Sequence, residues 1–146
     1  MTQYQNILVA VDGSEEAKTA LIKAAKIAAE DKAQLIITHV IDMRYFARFQ
    51  LYDDGSIITQ AKTHGQELLE GYKEEAKQFG VEKVGTALEF GSPRSEIPGA
   101  IAKKYEADLI VVGATGLNAI ERALIGSVSE AIIRHAACDI LVVRNR

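Results

Sequence analysis

One cysteine, Cys138, stands among the 146 residues, which rules out a disulfide within the chain and suits a reducing compartment. No apolar run approaches the roughly 18 residues that a helical membrane crossing takes. The net charge is only −3, and neither a basic tail nor a block of like charges appears, which argues against a nucleic-acid backbone as partner. The opening stretch MTQYQNILVAVDGS has no basic segment leading into an apolar core and a small-residue cleavage site, so it does not read as an export signal. These features together point to a cytoplasmic chain with no membrane or nucleic-acid partner. His39, His64 and His135 show no zinc-ligand spacing and read as structural; a metal site is not expected from the side chains.

Hydrophobic residues make up 48% of the chain and charged residues 25%, an ordinary globular balance, and residues 1–146 read as a single domain. Five short runs rich in Val and Ile read as strands: 6–12, 34–42, 83–91, 108–114 and 139–144. The first, fourth and fifth are almost continuously apolar, as strands of a parallel sheet covered on both faces should be. Helical patterns fill the gaps at 14–30, about 56–79, 95–105 and 128–135. In the first of these, Ala17, Ala20, Leu21, Ala24, Ala25, Ile27 and Ala28 form a stripe of mostly small residues at helical spacing. Alternation of this kind defines an α/β fold: a Rossmann-like, doubly wound, five-stranded parallel sheet with helices on both faces. Both prolines fall in one short stretch. Ser92–Pro93 looks like a helix cap and first turn, whereas Pro98 predicts a later start or a bend.

Ligands of such sheets bind beyond the carboxyl ends of the strands, where the strand order reverses. There the sequence places GATGLNAIERALIGSVSE, with glycines and serine in the order G-x-x-G-(nine)-G-S. Gly113 and Gly116 bracket the turn after the fourth strand, where a missing Cβ permits positive φ or close approach of a ligand. Gly126 and Ser127 open the last helix, whose first N–H groups suit a phosphate. A plainer reading is a capping box, with Ser127 and Glu130 satisfying the helix's own donors. Asp12, ending the first strand, has two compatible readings: acceptor for ribose hydroxyls, or cap of the first helix together with Ser14. The aromatic segment 43–56, with Tyr45, Phe46, Phe49 and Tyr52, reads either as a flap over a ligand or as a packed patch.

NILVAVDGSEEA, THVID and ADLIVVGATGLNAIERALIGSVSEAIIRHAACDILVVR, in that order, resemble the universal stress protein family across essentially the whole chain, and the full glycine motif resembles its ATP-binding branch. The resemblance implies a five-stranded Rossmann-like domain, a homodimer formed through the last strand, and ATP as ligand, with Mg2+ held mainly by the phosphates. It also implies site roles. Gly113, Gly116, Gly126, Ser127 and Val128 would hold phosphates and ribose, and Asp12 the adenosine part. The backbone of Val40 would read the adenine edge, with Ala10 and Val112 lining the pocket. Position 10 departs from members that carry proline there, and Thr115 occupies a position that varies.

Turnover of ATP has weaker support. Ser127 follows Gly126 where a Walker loop has lysine, GATGLN lacks the dinucleotide order G-x-G-x-x-G, and no general base stands out. Arg122 is the nearest fixed positive charge in the connection and reads as a solvated loop residue. The sequence therefore favours a nucleotide-dependent regulatory module with a protein partner of unknown identity; a slow ATPase or autophosphorylating enzyme is the alternative.

Overall fold

The computed structural model describes residues 3–44, 55–115 and 125–145. Five strands, β1 (Asn6–Ala10), β2 (Gln34–Asp42), β3 (Lys83–Gly91), β4 (Leu109–Gly113) and β5 (Asp139–Val143), form one sheet in the order β3-β2-β1-β4-β5. Every neighbouring pair is parallel. The order reverses between β1 and β4, so the loops leaving those two strands diverge to opposite faces.

Strand alternation explains the continuous apolar runs. Ile7, Val9, Leu35, Ile37, Leu109 and Val111 pack in one core beneath α1 (Glu15–Asp31) and α2 (Ser56–Lys77). Their neighbours Leu8, Ala10, Ile36, Val40, Ile110 and Val112 pack in a second core, on the opposite face, with Ile97, Ile101 and Ile132. Of the stripe on α1, Ala17, Ala20, Leu21, Ala24, Ala25 and Ala28 are buried and Ile27 only partly, so this helix lies close to the sheet. Ser14 caps it, accepting from Ala17 N–H at 3.1 Å, and Lys32 in the left-handed conformation ends it.

The third helix corrects the sequence reading. It begins at Pro93 rather than near Ser95 and runs in three pieces, together called α3: Pro93–Glu96, a π-helical segment Ile97–Ile101, and Ala102–Lys104. Proline inside an α-helix has no N–H to donate and clashes with the carbonyl four residues back. Around Pro98 the ladder widens instead of breaking. Ser92 is the cap residue but makes no side-chain capping bond. The last helix, α4, spans Ser127–His135. Among the described residues no helix is long and apolar enough to cross a membrane.

Candidate functional site

β1 stops before β2 does. Their last paired residues are Ala10 and Thr38, and Val11 N–H still reaches Thr38 O at 2.9 Å. Beyond that point β2 continues to Asp42 beside β3 alone. A strand's backbone groups change side with period two, so Val40 directs both its N–H and its C=O toward the space that β1 has vacated. A donor and an acceptor side by side at a cleft edge are what a planar heterocycle with the reverse pattern requires.

The loop after β1 is held in place by its own side chains. Asp12 Oδ1 accepts from Ser14 N–H at 3.0 Å, and Gly13 takes φ +89°, a conformation open to glycine and costly for most residues. Of the two readings of Asp12, the cap therefore belongs to Ser14, while Asp12 closes the turn and lines the cleft. His39 Nδ1 lies 2.9 Å from Val11 O. A carbonyl only accepts, so this nitrogen carries the proton, and His39 has the structural role expected of it.

On the other side of the switch point, Ser129 donates its hydroxyl hydrogen to Gly113 O, and Gly126 N–H donates to Ala114 O at 2.7 Å. These two bonds fix the start of α4 against the end of β4. The first intrahelical bond of α4 runs from Glu130 N–H to Gly126 O at 2.9 Å, which leaves the amides of Ser127, Val128 and Ser129 without partners inside the helix. The capping box is not formed. Gly126 is the cap residue and no side chain caps the helix; Glu130 pairs instead with Arg134 at 2.8 Å.

Gly113 also differs from its sequence reading. It is not among the described residues with positive φ. A Cβ there would stand 3.1 Å from Glu16 Cβ and 3.2 Å from Glu16's backbone carbonyl carbon and oxygen. The close approach is that of α1. Glu16 adds a second tie, its carboxylate accepting from Thr115 N–H at 2.7 Å.

These loops surround a cavity of about 380 Å³. Ala10, Asp12, Val40, Val112, Gly113, Gly126, Ser127 and Val128 all line it, as does Thr115. Gly116, Arg122 and the aromatic residues Tyr45, Phe46, Phe49 and Tyr52 lie outside the described residues. The cavity also contains residues that sequence reasoning missed: Asp42 at the end of β2 and Arg44 just beyond it, Pro93, Arg94 and Ile97 from α3, and Ser129. Asp42 could have been found, because in the sequence it ends its apolar run as Asp12 does. Arg44 holds it through two side-chain bonds of 3.2 and 2.9 Å, and this guanidinium keeps the Asp42 carboxyl below the usual carboxylate range. Among the described residues no group of three or more His, Cys, Asp or Glu is placed to hold a metal ion.

Fold and cleft thus define a Rossmann-like α/β protein whose open backbone donors face a cavity at the switch point. The chain belongs to the universal stress protein family, which its sequence matches over residues 3–144. A curated universal stress protein of Staphylococcus epidermidis is 52% identical over 144 residues, 99% of this chain and 86% of its own length. The solved structure of universal stress protein UspA from Lactobacillus plantarum superposes with a TM-score of 0.86 at 28% identity, covering 99% of this chain and all of that one. A universal stress protein solved in complex with cAMP matches with a TM-score of 0.73 at 28% identity, covering 98% of each chain.

Proposed function

We propose that this chain binds ATP in the switch-point cleft and acts as a nucleotide-dependent regulatory module, homodimeric through β5. The observation that carries the reading is the pairing of two recognition elements across one cavity. Val40 offers a backbone donor and acceptor where β1 ends, and the amides at the start of α4 face the same space. The first suits an adenine edge. The second suits phosphates, which backbone amides and the helix dipole stabilise without a basic patch, and the exposed Ser127 hydroxyl adds a donor. Asp12 lines the same cavity and would serve as an acceptor for ribose hydroxyls. Binding of cAMP by a family member of the same fold supports an adenine nucleotide as the ligand class.

With Asp12 and Asp42 the carboxylates among the described cavity residues, Mg2+ would be held mainly by the phosphates. Regulation requires that nucleotide bind one conformation of the chain more tightly than another; the glycine connection after β4 is where that difference would arise.

Calorimetric titration of ATP with Mg2+ into nucleotide-stripped protein, beside Gly126→Val, tests the reading. Gly126 has φ −68° and ψ 162°, which valine can adopt, so the variant should fold and lose at least tenfold in affinity through the side chain placed at the amide cradle. Failure of ATP, ADP and AMP to bind the wild-type chain would overturn the proposal.

A further inference from the structure

A second cavity, of about 410 Å³, adjoins the first, and Arg44 and Arg94 line both. It runs between α3 and α4. Its small apolar lining is Pro98, Gly99 and Ala131, and Ser92, Ser95 and His135 supply polar groups. No Asp or Glu is among its described lining residues. The two arginines at the divide differ: Arg44 is committed to Asp42, while Arg94 has no ion-pair partner among the described residues. Each cavity lies within the roughly 300–1,000 Å³ range of small-molecule sites.

We infer that the two cavities together take a dinucleoside polyphosphate. One nucleoside would occupy the switch-point cleft, the polyphosphate would cross the divide at Arg94, and the second nucleoside would lie on the Pro98–Gly99–Ala131 floor. The inference rests on the nucleotide reading above. Small, flat residues admit a planar base, and the Ser92, Ser95 and His135 groups can hydrogen-bond to it or to its sugar. The Ser95 hydroxyl already donates to Ser92 O at 3.3 Å, so it acts here as an acceptor. A guanidinium at the junction with no ion-pair partner among the described residues suits a bridging phosphate.

Gly99 allows a clean test. A Cβ added there meets nothing within 4 Å, so Gly99→Phe should occupy the second cavity while leaving the first intact. Diadenosine tetraphosphate and adenosine 5′-tetraphosphate carry the same number of phosphates and differ by one nucleoside; each is titrated calorimetrically into wild type, Gly99→Phe and Arg94→Gln. The expected result is at least tenfold tighter binding of the dinucleotide by wild type. That preference should vanish in Gly99→Phe, with affinity for adenosine tetraphosphate unchanged, whereas Arg94→Gln, whose exposed position is no threat to folding, should weaken both tetraphosphates severalfold. Equal affinities in wild type, or a preference that survives Gly99→Phe, would overturn the inference and leave the mononucleotide reading standing. Binding of neither ligand would overturn both.

Discussion

At the scale of single residues, the glycines of the motif divide by function. Gly113 is required by the backbone of α1, since a methyl group there would press against the carbonyl of Glu16, which cannot swing aside as a side chain can. Gly113→Ala is therefore expected to destabilise the protein without any ligand present, by about 1–3 kcal/mol, seen as a lower urea midpoint. Gly126 has no such demand on its backbone angles, and Gly126→Val should keep a urea midpoint close to wild type while it loses nucleotide. Equal midpoints for Gly113→Ala and wild type would show that α1 can yield at that contact. Cys138 illustrates the reverse case of a residue with reactive chemistry and no use for it. Burial, and then the charges of Asp139 and Asp108, push its thiol up, so it stays protonated at neutral pH and poorly nucleophilic.

Elements explain which parts of the molecule were legible in its sequence. The central strands β1 and β4 were, because a run of Val and Ile buried on both faces has few other places in a fold. The cleft residues that follow β1 and β4 were legible too, since Asp12, Gly126 and Ser127 stand where a strand ends or a helix begins. Arg44, Arg94 and Ser129 were not, because their entry into the cleft depends on how the crossovers bring separate loops together, and no local pattern records that. The π-helical widening at Pro98 was half visible: proline announced a disturbance, but tertiary packing of Ile97 and Ile101 into the core decided that the helix would continue through it.

Helix α2 has a further connection to the cleft through Tyr72, buried at 7% exposure. Burial, followed by the charge of Asp12, raises its hydroxyl above the ordinary value of 10.0, with a hydrogen bond from the Gly13 backbone pulling the other way. The folded state thus holds this proton more tightly than the unfolded state. Its stabilising contribution is complete below the ordinary value and is lost as pH rises from there through the folded value. Urea midpoints measured between about pH 8 and 11 should fall for the wild type and fall less steeply for Tyr72→Phe; parallel curves would remove Tyr72 as the cause.

For the whole molecule, the sheet order leaves β3 and β5 as edges. β5 is short, and Ile140, Leu141, Val142 and Val143 are only half-buried, an edge suited to pairing with a second copy. Sedimentation equilibrium at micromolar concentration should give about twice the 15.9 kDa chain mass, and Val142→Lys should return it toward the monomer. A wild-type monomer would refute the dimer. The same topology brings residues distant in the chain together at its centre: Asn6 N–H donates to Asp108 Oδ1 across a separation of 102 residues, and the cleft takes one wall from residues 10–12 and the other from Val112, Gly113, Thr115 and residues 126–129. On the ribosome, the growing chain possesses half a cleft until α4 has emerged. On the reading proposed above, nucleotide therefore cannot act as a template for the early strands, and its binding would stabilise only chains in which both walls are present.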